Sequence, residues 1–321
     1  MQNTKNLETS IYSSETKRKF TKMPRRKDLR ELPYHLMLLP CVIIVILMNY
    51  VPMFGIVMAF QKYVPTKGIL GSKFVGLDNF KYIINMPDTL QVLFNTVFIS
   101  SMKIVLGIIV PVTVALLLNE VRITFLKRSI QTIIYLPHFL SWIVLSGILI
   151  DILSPSTGIV NTMLKALGFE PVFFLGNEKV FPYVLALSDT WKEFGFGTIV
   201  YLAALTGVDP TLYEAAIVDG ASRWKQTLHV TLPSIMYVII LTTVLSLGNV
   251  LNAGFDQVFN LYSPAVYKTG DIIDTMVYRL GIVDARFSIA TAVGLFKSIV
   301  SFIFIAGSYK LAYKYGDYRI F

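Results

Sequence analysis

Long apolar runs alternate with shorter polar ones along the chain. Six apolar runs stand out, at about 36–60, 94–118, 130–152, 182–205, 235–254 and 288–313, several with isolated polar residues inside them. A helix crosses a bilayer with about 20 mostly apolar residues, a length each run reaches. Lipid offers backbone amides no partner, so spans of this length predict helices, which satisfy their own. The units of about ten alternating residues that mark a membrane barrel are absent. The pattern predicts an all-α fold, an integral membrane bundle of six transmembrane helices over 36–321 behind a tail at 1–35.

The polar segments set the orientation, because Lys and Arg accumulate on the cytoplasmic side of short loops. Seventeen fall on the side of the tail and the C-terminal end and nine on the other, so both termini and the 206–233 loop are expected in the cytoplasm. The tail, with "TKRKFTKMPRRKDLRE" at its end, shows no short apolar run with a cleavage site and does not read as a secretory signal. It predicts a solvated orienting tail, with a helix lying on anionic lipid as the alternative.

Composition supports a membrane protein. The 321 residues are 54% hydrophobic and 15% charged, with a mean hydropathy of +0.61, against about 25% charged in soluble domains. The net charge of +9 sits where topology puts basic residues, so it does not call for a nucleic-acid partner. Cys41 is alone inside an apolar run and supplies neither an intrachain disulfide nor a cysteine metal site. His35, His138 and His229 are scattered, so no catalytic or metal-binding set is expected.

Between the fourth and fifth runs lies a polar insert, "EAAIVDGASRWKQTLHVTLP", from Glu214 to Pro233. Asp209–Pro210 predicts a helix start, with Asp as cap and proline at the first helical position. Gly220 predicts its stop in the left-handed conformation. A second short helix should run from there to Pro233, giving a helix–glycine–helix elbow at the membrane face.

This insert resembles the EAA loop of ATP-binding-cassette importer permeases. Glu214, Ala215, Ala216, Gly220, Leu232 and Pro233 match at the family's spacing, and Val230 replaces the commoner isoleucine. "FVGLDNF" (74–80), "NTV" (95–97), "YLPHFLSWIV" (135–144) and "AGFDQVFNLYSPAVY" (253–267) resemble the branch that imports complex oligosaccharides, including alginate- and pectin-derived fragments. The likeness covers about 33–321. It implies a permease subunit in a bacterial cell membrane, with Glu214 and Gly220 in a coupling helix that docks on an ATPase. The implied partners are two ATPase subunits, a second related permease and an extracytoplasmic solute-binding protein. ATP and Mg would be bound by the ATPase subunits, since this chain has no G-x-x-x-x-G-K-[ST] loop; "GILGSK" (68–73) is wrongly spaced and faces outward.

Charges inside spans are expensive and usually pair with one another or face a water-filled cavity. Lys103 and Lys297 lie about nine residues in from the outer ends of their spans, roughly 14 Å deep. Asp189, Lys192 and Glu193 fall at similar depth on the fourth span, with Asp189 and Lys192 spaced as an i,i+3 pair. Either these charges hold the bundle together, or a lysine lies beside an anionic sugar in a substrate path. Trp191, and the Asn249, Asn252, Asp256, Gln257, Asn260 and Tyr262 cluster, are further candidates for sugar contact; re-entrant backbone competes at the cluster. A rival reading, an ion-driven secondary transporter, predicts matched discontinuous helices in two halves, and no such repeat is visible.

Overall fold

The computed structural model describes residues 28–316 and divides at Phe54/Gly55 into two compact units. The basic tail expected over 1–35 lies outside the described residues as far as residue 27.

In the first unit, helix α1 (Asp28–Val45) starts ahead of the apolar run that signals it and contains Pro33 and Pro40. A π-helical turn, Ile46–Tyr50, and a short helix, Val51–Met53, continue it. Every side chain from Leu32 to Phe54 is exposed, although most of them are apolar.

The second unit opens with an antiparallel ribbon, β1 (Gln61–Lys62) against β2 (Lys73–Phe74), with Gln61 opposite Phe74. This ribbon departs from the all-helical expectation. Asn79 on α2 (Asp78–Ile84) clamps it, donating from Nδ2 to the carbonyls of Ala59 at 2.8 Å and Gln61 at 3.0 Å. Helix α3 (Thr89–Glu120) follows, then α4 (Thr124–Tyr135), α5 (Trp142–Ile152) and α6 (Ile159–Ala166). The frame is completed by α7 (Phe181–Thr206), α8 (Pro210–Val218), α9 (Arg223–Gln226), α10 (Met236–Leu247), α11 (Phe255–Leu261), α12 (Ile273–Tyr278) and α13 (Phe287–Gly316).

Two of the predicted spans are not straight. The 130–152 run breaks between Phe139 and Trp142, and its halves meet at 104°. Pro137 tightens the end of the first half into a 3-10 turn, and Ser141 caps the second, its Oγ accepting from the Val144 N–H. The 235–254 run is helical only over Met236–Leu247, bent 58° from the Arg223–Ser234 helix before it, and unwinds at Gly248. Among the described residues, three continuous helices are long and apolar enough to cross a membrane, Leu32–Phe60, Thr89–Glu120 and Phe287–Lys310, and five if each bent pair counts as one. Helix α7 has the length, at 26 residues, but Asp189, Lys192 and Glu193 fall inside it.

Helices α3 and α7 form the most extensive pair. Side chains such as Val112, Ala115, Tyr201 and Ile235 fill the core at one end, and Ile99, Phe181, Leu185 and Ile272 fill it at the other. Gly195 brings α7 against the end of α4: a Cβ there would fall 1.9 Å from the Ile134 carbonyl oxygen. Any other residue would separate these helices.

Candidate functional site: a polar cavity and a polar elbow

Helices α3, α7 and α10, with the chain after α10, border an open cavity of about 310 Å³. Ser100, Lys103, Asp189, Ser246, Asn249 and Asn252 supply its polar lining. Four of these, Lys103, Asp189, Asn249 and Asn252, are candidates from the sequence, now gathered from three segments. Ser100 and Ser246 carried no signal of their own, since a lone serine in an apolar run is ordinary. Ser100 is 2% exposed and its hydroxyl, itself buried, has no partner beside the cavity wall.

Lys103 is fully engaged. Its ammonium donates to Asp189 Oδ1 at 3.2 Å, to the Ala253 carbonyl at 2.7 Å and to Gln257 Oε1. An ammonium has three donors, so none is left for a solute. Gln257, wholly buried, fixes the arrangement by donating to the Leu185 carbonyl and Ser188 Oγ, both at 2.8 Å. The i,i+3 pairing of Asp189 with Lys192 does not form, because α3 offers Asp189 a closer cation. The surfaces left to a solute are the second Asp189 oxygen and the exposed amides of Asn249 and Asn252.

A second group lies where α7 meets the bend between α4 and α5. Lys192 Nζ donates to the His138 carbonyl and to Glu193 Oε1, both at 2.9 Å, and stands 5.7 Å from the Trp142 ring centroid. Glu193 Oε2 is 2.7 Å from His138 Nδ1, and the His138 ring stacks on Phe196 at 4.1 Å. Sequence reasoning set His138 aside as scattered; its partner lies 55 residues away, beyond any local spacing rule. Trp191, next in sequence to Lys192, is half-exposed, and Trp142 takes the cation contact.

Lys297 on α13 joins neither group and pairs with Asp274 on α12 at 2.5 Å. Nearby, buried Asp271 accepts from both guanidinium arms of Arg279, at 3.1 and 2.5 Å, and from the Thr275 hydroxyl at 2.7 Å. The Asp271 bond raises the Arg279 guanidinium further above its ordinary value. Burial, then Tyr267 beside it, pushes the Tyr262 phenol up to about 12. Asp256 is exposed, and its carbonyl accepts from Asn260. Among the described residues, no three His, Cys, Asp or Glu side chains gather as a metal site.

The polar insert folds as a helix, a glycine and a helix. Asp209 caps α8, its Oδ1 accepting from the Thr211 N–H at 2.9 Å, which holds the Asp209 carboxyl below the usual range. Pro210 takes the first helical position. At the other end Gly220 has φ +74°, its N–H donates to the Ile217 carbonyl, and the Ala221 N–H reaches back to Ala216 at 2.9 Å. This is the glycine-closed helix end in which two carbonyls are satisfied beyond the last turn. Gln226 Nε2 donates to the Ala221 carbonyl at 2.8 Å, and the Tyr213 and Thr231 hydroxyls meet at 2.9 Å, tying the arms together. Glu214 and Ala215 are exposed, as are Leu212, Ile217, Val218 and Trp224, while Ala216 and Leu232 are half-buried. Leu212, Ile217 and Val218 thus leave apolar side chains on the exposed surface of a nine-residue helix.

Comparison with known proteins agrees with this architecture. Residues 107–311 match the family described as binding-protein-dependent transport system inner membrane component. The polygalacturonan/rhamnogalacturonan transport system permease protein YteP of Bacillus subtilis (strain 168) is 42% identical over 287 residues, 89% of each chain. Protein LplB of the same organism is 40% identical over 89% of this chain and 90% of its own. A chain of a bacterial ABC transporter involved in the import of the acidic polysaccharide alginate superposes with a TM-score of 0.81 at 37% identity, covering 89% of this chain and 96% of that one. A chain from the bacterial alginate transporter in complex with alginate pentasaccharide-bound periplasmic protein gives 0.81 at 38%, covering 88% and 94%.

Proposed function

The chain belongs to the family of binding-protein-dependent transport system inner membrane components, as an ABC-type oligosaccharide importer permease, and from that premise we propose how it works. Six segments cross the membrane: the α1 helix with its continuation to Phe60, α3, the bent pair α4–α5, α7, α10 and α13. Both termini and the α8–α9 elbow face the cytoplasm. This subunit does no ATP chemistry; two ATPase subunits carry ATP and Mg. A second, related permease completes the pathway, and an extracytoplasmic binding protein delivers an acidic oligosaccharide of the pectin or alginate kind.

The observation that carries this reading is the elbow. Its glycine-closed end and cross-tied arms make a stiff lever, and α8 presents Glu214 beside exposed Ile217 and Val218. A push on α8 passes through α9 and the 58° bend into α10, whose far end borders the cavity. Closure of the ATPase pair would thus move the wall that carries Ser246 and Asn249. The cavity suits a polyol, with two exposed amides and a carboxylate oxygen.

Purification of the tagged chain in mild detergent, followed by reconstitution, tests the proposal. An ATPase and a second EAA-bearing permease should co-purify, and Glu214→Lys should abolish sugar-stimulated ATP hydrolysis in the assembled complex. Uptake by the chain alone, without ATP, would instead make it a secondary transporter.

A further inference from the structure

Among the described residues, the cations inside the helical frame are each offset by a carboxylate. Lys103, Lys192, Lys297 and Arg279 all hold carboxylates, at 2.5 to 3.2 Å. None is an uncompensated charge, which makes cations without a carboxylate partner the better candidates for carboxylate recognition. A second cavity, of about 530 Å³, supplies the missing feature. Its walls are the end of β1, α2 and the turn leading into α13, at the end that the topology above places outside. Lys62, Arg286, Tyr63 and Tyr82 line it.

Neither Lys62 nor Arg286 has a carboxylate partner among the described residues. Arg286 Nη1 donates to the Tyr82 hydroxyl at 3.1 Å, which leaves the rest of the guanidinium fork free. Asp78, also at the rim, stands 3.8 Å from Lys81, with both side chains largely exposed. The walls are fixed. The Tyr63 N–H donates to Ser288 Oγ at 2.8 Å, the Tyr63 ring meets Phe287 edge-on at 6.0 Å, and Asn79 clamps α2 to β1. Ala285 has φ +53°, the one non-glycine positive φ among the described residues, and it directly precedes Arg286. Such backbone persists where its surroundings hold it, and it concentrates at ligand clamps.

We propose that this outer cavity is a receiving subsite for a carboxylate-bearing sugar. Arg286 and Lys62 take the carboxylate, and Tyr63 and Tyr82 pack against the ring. The volume falls in the range of small-molecule sites, about 300–1,000 Å³, and a guanidinium fork matches a carboxylate in geometry as well as charge. The inference rests on the importer reading above and adds a location for acid recognition. The intramembrane cavity, whose lysine is spent, reads hydroxyls instead.

The test uses the complete transporter with its binding protein in vesicles, and trigalacturonate against its fully methyl-esterified counterpart. Arg286→Gln should raise KM for the free acid about tenfold, the scale of one charge-assisted hydrogen bond, with kcat within about twofold. The ester should be unaffected, Arg286→Lys should recover most of the preference, and Lys81→Gln, a cation outside the cavity, should change nothing. Equal losses for acid and ester, or the same loss in Lys81→Gln, would overturn the subsite. An effect that disappears when phosphatidylglycerol is left out of the vesicles would assign the cations to a lipid phosphate. Weaker capture of sugar-free binding protein by Arg286→Gln would assign them to protein docking. Wild-type vesicles that import neither sugar would remove the importer reading and this subsite with it; import by wild type with Arg286→Gln unchanged would remove the subsite alone.

Discussion

Gly195 and Ile134 are in backbone contact: a side chain of even one carbon at Gly195 would lie 1.9 Å from the Ile134 carbonyl oxygen. The obstacle is main chain, so a rotamer change cannot relieve it. Gly195→Ala should push α7 off α4 and disturb the adjoining His138–Glu193 pair. Overpacking of this kind costs about 1–3 kcal/mol, read as a lower melting temperature of the detergent-solubilised complex. Gly294→Ala is the control, since nothing lies within 4 Å of its Cβ position on α13. Equal melting temperatures for the two variants would mean that the helices are not held this close.

Lys103 and Asp189 form a structural pair in a cavity wall, with side chains 9% and 26% exposed. Removing one partner of a buried pair leaves an uncompensated charge, at a cost on the order of 3 kcal/mol. Lys103→Met should therefore destabilise the complex, and Lys103→Met with Asp189→Asn should be less damaging than the single change. Uptake by Lys103→Met should fall alike for acidic and neutral oligosaccharides, because the ammonium has no donor left for a sugar. A selective loss for the acidic sugar would return Lys103 to the substrate path.

Asp271 and Arg279 fasten the segment between α11 and α13. The carboxylate is 4% exposed, so Arg279→Met strands it, and a loss of about 3–5 kcal/mol follows from breaking such a pair. Faster proteolysis within 255–287 would report the loosened segment. Combining Arg279→Met with Asp271→Asn should recover part of the protection. No recovery would show that Arg279 acts through its stack on Tyr267, 5.2 Å away, and not through charge.

These pairings explain what the sequence could and could not disclose. The elbow was legible because its determinants are local: Asp209 and Pro210 begin a helix, Gly220 ends it, and no distant residue is needed. The apolar runs were legible for the same reason, yet hydropathy carries no direction. It could not reveal that the 130–152 run turns by 104°, although Pro137 and Ser141 supply the break. Charge pairing was the least legible feature. Lys103 finds Asp189 across 86 residues and His138 finds Glu193 across 55, while the near pair Asp189–Lys192 stays unformed. Which face of α7 meets α3 decides these partners, and that is settled by packing at sites such as Gly197 on Pro111.

Gly220 isolates the elbow's backbone from its contacts. Its φ is +74°, and no atom lies within 4 Å of its Cβ position, so a substitution there meets strain and no clash. A left-handed residue costs roughly 1–2 kcal/mol for most side chains and less for asparagine, which tolerates the region. Gly220→Asn should keep most of the sugar-stimulated ATPase activity of the assembled complex, and Gly220→Val should lose it. Both chains should still reach the membrane with the ATPase bound, because α8 can form in either. If Asn and Val variants lost stimulation equally, Gly220 would be serving as a contact point on the partner, and if neither lost any, the lever would not run through this turn.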